Sequence, residues 1–171
     1  RGISCIPLDE SAPKKNICFS RSFGKVVSDP VELAEALSTY VCGACVKLRK
    51  QNSCTPAITV FLEAVLDAKE GTRRHYGITA SFSRPTNDTP QIITAAKHCL
   101  KKIFVENERY KKCGILLLDL ISEDLVIPDL FAGSMSPKRR KLMDAVDSLN
   151  TYYGKNTLFY GSSGIERSWK T

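Results

Sequence analysis

Residues 78–104 read ITASFSRPTNDTPQIITAAKHCLKKIF, and the fold turns on the change of period inside that stretch. Ile78, Ala80 and Phe82 alternate with Thr79, Ser81 and Ser83, the two-residue period of an antiparallel strand with one buried and one solvated face. Thr89-Pro90 then opens a helix carrying Ile92, Ile93, Ala96, Cys99, Leu100, Ile103 and Phe104 on its buried side, with Lys97, Lys101 and Lys102 elsewhere. Upstream, Ile58, Val60 and Leu62 alternate with Thr59, Phe61 and Glu63 in another strand, and a charged connection runs on from about Asp67 to His75. Further back, Ile17, Phe19 and Phe23 share one parity while Cys18, Ser20 and Ser22 share the other. Arg21 falls on the apolar parity, so either a bulge re-aims it or the strand end is exposed. Between these strands, Ser28-Asp29-Pro30-Val31-Glu32 has the cap, the proline and the later Glu of a helix start. That helix runs to about Lys50 and buries Leu33, Leu37, Tyr40, Val41, Ala44 and Leu48. Downstream, Gly114 to Ile121 forms a fourth strand whose run Ile115 to Leu118 is apolar on both parities, as a central or doubly covered strand requires.

The order β, α, β, β, α, β is the split βαβ arrangement of an α+β fold: one four-stranded antiparallel sheet, both helices on one face and the opposite face open. Residues 1–121 are expected to form this domain. Residues 122–136 read as an acidic linker with an exposed-looking Leu130-Phe131. Residues 137–171 read as an extension with a helix from Pro137 to about Leu149 and a short strand at Thr157 to Tyr160.

Composition narrows the class. A chain of 171 residues, 43% hydrophobic and 25% charged, is neither disordered nor collagenous nor membrane-spanning, and it is long enough to bury a core without staples. Its seven Cys are odd in number and lack the spacing of a disulfide framework, so they read as reduced thiols in a cytoplasmic protein. A chain that opens on Arg1 rather than Met is expected to be a piece of something longer. The net charge of +7 favours polyanionic partners. It is unevenly spread: residues 114–136 hold carboxylates and no Lys or Arg, between basic stretches on either side.

Little in the chain points to catalysis. Cys42 and Cys45 have the spacing of a metal or redox pair but fall mid-helix with no second ligand pair, so packing is the competing reading. His75 and His98 are far apart, Asp119 is a lone strand carboxylate, and Gly161-Ser162-Ser163-Gly164 lacks the Lys and the context of a phosphate loop. This chain is therefore expected to be non-catalytic by itself and to hold no metal or other cofactor. Nucleic-acid binding fits better, because small residues on an open strand face, Ser20, Ser22, Thr79 and Ser81, let phosphates approach while cations neutralise them. Lys14, Lys15, Arg21, Lys25, Arg73, Arg74 and Arg84 are the candidate cations. An RNA module that stacks bases on sheet aromatics is the rival, and the open face offers it mainly Phe61. Lys138, Arg139, Arg140 and Lys141, at a helix start where positive charge is unfavourable, are candidates for an acidic partner.

The run Gly2-Ile3-Ser4-Cys5, then Pro13-Lys14-Lys15 and Ser20-Arg21-Ser22-Phe23-Gly24, resembles the start of the little-finger domain of UmuC-type Y-family translesion DNA polymerases. Tyr76-Gly77, Thr89-Pro90 with Ile92-Ile93, Arg109-Tyr110, Gly114, Leu130-Phe131, Asp147-Ser148-Leu149-Asn150, Thr157-Leu158, Gly164-Ile165 and Trp169 continue the resemblance in order over essentially the whole chain. It implies the C-terminal part of an error-prone polymerase of the SOS response to DNA damage, gripping primer-template DNA during bypass, with the catalytic carboxylates and Mg²⁺ upstream of Arg1. It maps a template-backbone contact onto Ser20, Arg21 and Ser22. It also implies a sliding-clamp peptide, here Ile127-Pro128-Asp129-Leu130-Phe131, in which the hydrophobic plug stands but the family's Gln and first Leu do not. A UmuD-type regulatory dimer and the RecA filament are the further partners it implies. The alternative is a protein-interaction module, binding the clamp or a regulatory subunit, with little DNA contact of its own.

Overall fold

A computed structural model describes residues 13–66, 72–126, 137–167 and 169. The elements are β1 (Ile17–Val27), α1 (Pro30–Lys50), β2 (Ser53–Val65), β3 (Arg73–Thr86), α2 (Thr89–Ile103), β4 (Tyr110–Leu118), the two-residue β5 (Ile121–Ser122) and α3 (Pro137–Tyr152). The main sheet runs β1-β4-β2-β3 with every neighbouring pair antiparallel, and β5 extends it by pairing with Ser53 and Cys54 at the start of β2. Strand β4 lies between β1 and β2, and β2 lies between β3 and β4. Each β-α-β unit is thus split by a strand of the other, and both helices share one face.

Local chemistry sets the boundaries. The Asp29 side chain accepts a 3.0 Å hydrogen bond from the Val31 N–H, Pro30 comes next in the chain, and Lys47, Arg49 and Lys50 sit in the last turn of α1, where the helix dipole favours cations. The chain leaves α1 through Asn52, at φ 48°, and enters β4 through Asn107, at φ 66°. Short polar side chains tolerate that left-handed backbone best after glycine. The predicted stripes Leu33, Leu37, Tyr40, Val41, Ala44 and Leu48 of α1, and Ile92, Ile93, Ala96, Cys99, Leu100 and Ile103 of α2, are buried against Ile58, Val60 and Leu62 of β2 and Ile115 and Leu117 of β4. Phe104 is half-buried at their edge. Ile115 to Leu118 does lie in a central strand, yet only one parity is covered: Leu116 and Leu118 are half-buried on the far side.

The third helix and the C-terminal residues beyond it pack on the helix layer. Arg49 of α1, only 12% exposed, donates from Nε to Asp147 Oδ2 at 2.6 Å and from Nη2 to Oδ1 at 2.9 Å, and Arg139 reaches Asp88 at 2.6 Å. Trp169 packs edge-on against Phe23 and Tyr40. Gly164, at φ 70°, lies so close to the Glu35 carboxylate that a Cβ there would overlap it. The strand expected at Thr157 to Tyr160 is not formed. The segment is a bend followed by irregular chain, and its Leu158 N–H and C=O are both bonded to the Asn150 amide instead of to a strand. The fourth strand also begins earlier and ends sooner than Gly114 to Ile121, because Tyr110 already pairs with Val27 and Ala64, and Asp119, at φ 48°, breaks the extended run.

Candidate nucleic-acid interface

The sheet face away from α1 and α2 is uncovered by any other described element. Its side chains are set by register, since directly paired residues point the same way. Across β1, β4, β2 and β3 the rows are Ser22, Lys112, Glu63 and His75; Ser20, Gly114, Phe61 and Gly77; Cys18, Leu116, Thr59 and Thr79. Leu118, Ala57 and Ser81 form the next. Most of these positions are small or hydroxylated, and the Thr59 and Thr79 hydroxyls bond each other at 2.7 Å. A phosphate chain can approach such a surface closely.

Charge is concentrated at one end of the face. Glu63 accepts from Lys112 Nζ at 3.0 Å and from Arg73 Nη1 at 3.2 Å, and His75 Nδ1 lies 3.9 Å from it. Burial alone would raise the Glu63 pKa, but the hydrogen bond and charge of Lys112, with the Arg73 bond, outweigh it and hold the carboxyl below the usual carboxylate range. Lys14 and Lys15 are exposed just before β1.

The nine residues singled out from the sequence for DNA do not share this face. Ser20, Ser22 and Arg73 lie on it. Arg21 pairs with the core residue Cys113, so it points to the helix side of an edge strand; no bulge interrupts β1 there, and its exposure resolves the parity conflict. Arg74 pairs with the buried Ala64, also on the helix side, where its Nη1 lies 2.8 Å from Glu108 Oε1. Lys25 reaches toward Glu32 of α1 at 3.8 Å. Arg84 is half-buried, with Nη1 enclosed and without a hydrogen-bond partner among the described residues. Lys112 and Glu63, which the sequence pattern did not single out, complete the site. Alternation carried back from Gly114 through β4 would have found Lys112.

The other candidates fall elsewhere. Of the basic run, Arg139 pairs with Asp88 and Arg140 with Glu123 at 2.8 Å, while Lys138 and Lys141 are exposed. Ile127, Asp129, Leu130 and Phe131 lie outside the described residues. Cys45 is fully buried in mid-helix and burial pushes its thiol up to about 12; Cys42 is raised by burial to about 11, partly offset by Ser163. Among the described residues no three His, Cys, Asp or Glu side chains converge to hold a metal ion, so these residues do not fit Mg²⁺ and no metal-dependent step is assigned to them. Among the same residues no helix is long and apolar enough to cross a membrane.

Residues 14–130 match the impB/mucB/samB family C-terminal domain, and residues 140–171 match a domain of unknown function, DUF4113. The chain is 36% identical over 174 residues to Protein UmuC of Salmonella typhimurium and 32% identical over 171 residues to Protein MucB of Escherichia coli, in each case covering 99% of this chain and 40% of the relative. It spans about 40% of the length of the curated relatives it matches. Among solved structures, the insertion ternary complex of Dbh DNA polymerase aligns at 14% identity and a TM-score of 0.49, covering 66% of this chain and 31% of that one. The little finger domain of PolIV in complex with a β-clamp processivity factor aligns at 10% identity and a TM-score of 0.46, covering 71% and 98%.

Proposed function

We propose, from the premise that this chain belongs to the impB/mucB/samB family, that it is the DNA-holding part of an error-prone Y-family polymerase and grips primer-template DNA on the open sheet face. One observation carries the reading: the C-terminal extension packs on the helix layer, while the face lined by Ser20, Ser22, Thr79, Ser81 and Gly114 has no cover among the described residues. Contacts there are to backbone phosphates, with Lys112, Arg73, Lys14 and Lys15 as cations, so binding is low in sequence specificity and steep in salt. Chemistry, with its Mg²⁺, belongs to the remainder of the polymerase. The test is primer-template affinity across a salt series, for the wild type and for Arg73→Ala with Lys112→Ala. Because Glu63 already neutralises one of these two cations, their joint loss removes about one net phosphate contact and should flatten the slope of log K against log salt by about 0.9. Binding that is undetectable at low salt, or a slope the double variant leaves unaltered, would overturn the reading.

A second reading rests on α3, which buries Met143 and is otherwise fastened inward by the Asp147, Arg139 and Arg140 ion pairs, while Leu142 and Leu149, with Tyr153 just past its end, are 56%, 40% and 66% exposed. An exposed apolar stripe beside Lys138 and Lys141 suits a protein partner with acidic flanks, for which a UmuD-type dimer or the RecA filament are the proposed occupants. Clamp binding through Ile127, Asp129, Leu130 and Phe131 belongs to the same reading. A clamp pull-down with Phe131→Ala that loses the clamp but retains DNA binding would place the two functions on separate surfaces.

A further inference from the structure

Phe61 is the one Phe, Tyr or Trp side chain in the four rows of the open face, and its surroundings are built for it. On its β4 side is Gly114, where a Cβ would overlap the tip of the Phe61 ring and would sit 2.8 Å from Cε1 and 2.5 Å from the Cβ of Ser20. The ring therefore lies along the sheet, over a strand whose side chain is missing at that position. On its β3 side is Gly77, exposed, where an added Cβ would meet nothing closer than 3.7 Å. Two glycines in register thus leave one aromatic ring half-exposed in a shallow slot. The Thr59 and Thr79 hydroxyls lie in the next row, and Lys112 Nζ stands over the ring, 5.8 Å from its centroid, so a base that stacks on Phe61 must swing this half-exposed side chain aside toward the base's own phosphate.

We propose that Phe61 and its flanking glycines form a stacking site for a single unpaired DNA base, with Lys112 and Arg73 on the phosphate beside it. The proposal rests on the reading that DNA lies on this face and goes further, because it selects the form of the DNA. Bases inside a duplex are stacked on their neighbours and cannot offer a π-face to a side chain, whereas an unpaired base can. The vacancy over Gly77 admits a base edge, the Thr hydroxyls supply a donor and an acceptor to that edge, and the local cations match the phosphate's charge. Base–aromatic stacking tolerates any sequence, in keeping with a surface that has few groups to read one.

The experiment measures the full chain against a short single-stranded oligonucleotide carrying 2-aminopurine and against the corresponding duplex, at one low salt concentration. Phe61→Leu keeps the apolar bulk and removes the π-face; Phe61→Tyr keeps the ring and controls for folding. Phe61→Leu should lose roughly tenfold in single-strand affinity, together with the fluorescence quenching of the stacked base, and stay within about twofold on duplex; Phe61→Tyr should restore both. Equal losses on the two DNA forms, or single-strand binding and quenching unaltered by Phe61→Leu, would overturn the stacking site while leaving the DNA face in place. No binding of either form by the wild type would overturn both.

Discussion

Glu63→Gln should strengthen DNA binding, which is the reverse of what removing a residue from a binding face ordinarily does. The Glu63 side chain is 10% exposed and sits between Lys112 Nζ, at 3.0 Å, and Arg73 Nη1, at 3.2 Å. It therefore neutralises one of two cations that a phosphate would otherwise meet. With Gln in its place the local charge rises by one, and one more phosphate contact adds about 0.9 to the steepness of log K against log salt. That corresponds to roughly eightfold tighter binding at about 0.1 M salt, falling to about twofold at about 0.5 M. The fold should tolerate the change. Arg73 is 52% exposed and Lys112 30% exposed, so losing these pairs costs about 1 kcal/mol or less, and the Gln carbonyl still accepts a hydrogen bond. Fluorescence anisotropy with a labelled primer-template across that salt range reads both quantities. Unaltered or weaker binding with no steepening would mean that Glu63 positions the two cations instead of competing for them, and the reasoning would fail.

Two further outcomes rest on the same geometry. Arg49→Ala removes the bidentate pair to Asp147 and the bonds to the Asn87 carbonyl and the Thr89 hydroxyl, leaving Asp147 without its partner. It should cost about 3 kcal/mol in urea unfolding and speed amide exchange in α3 well before the sheet. Arg74→Ala should leave DNA affinity within about twofold, since its guanidinium lies on the helix side with Glu108, whereas Arg73→Ala weakens binding several-fold.

The difference between Arg73 and Arg74 marks where the sequence was legible and where it was not. Periodicity placed the buried stripes of α1 and α2 correctly because a 3.6-residue repeat over fifteen or more residues leaves no competing face. In the strands a period of two was just as readable at Ile78 to Ser83, but grouping Arg73 with Arg74 by charge ignored it. Carrying the parity back from Ile78 through Tyr76 puts Arg74 with the core side and Arg73 with the open side, as the pairing with Ala64 and Val65 confirms. The Glu63 cluster was a different matter. It needs Lys112 opposite Glu63 and Arg73 close by along β3, and such register depends on the connections between strands rather than on any local pattern. Thr157 to Tyr160 failed for a third reason: four β-prone residues before a glycine are too short a run to define a strand, and the Asn150 amide takes the Leu158 N–H and C=O that a neighbouring strand would have used.

Two carboxylates in this chain are moved in opposite directions, and pH separates them. Asp88, whose side chain is 2% exposed, is raised by burial, which outweighs the Arg139 and Arg49 charges; its Oδ1 is enclosed without a hydrogen bond among the described residues. Glu63 is lowered, because its cation contacts outweigh burial. For Asp88 the folded state holds its proton to higher pH than the unfolded chain, whose value is about 3.9, so stability falls as pH rises through that window. For Glu63 the folded value lies below the unfolded one, about 4.3, so its contribution is complete above that pH and is lost as pH falls through the folded value. Asp88→Asn, which keeps a residue suited to the helix start, should therefore stabilise the protein near neutrality, and the gain should shrink as pH approaches about 4. Glu63→Gln should be slightly destabilising near neutrality, with the loss shrinking as pH falls below about 4. Urea midpoints of the three proteins at several pH values measure both trends. If Asp88→Asn is instead destabilising near neutrality by more than Glu63→Gln, the Arg139 ion pair outweighs burial at that site, and α3 is held more firmly at its first turn than its half-exposed guanidinium implies.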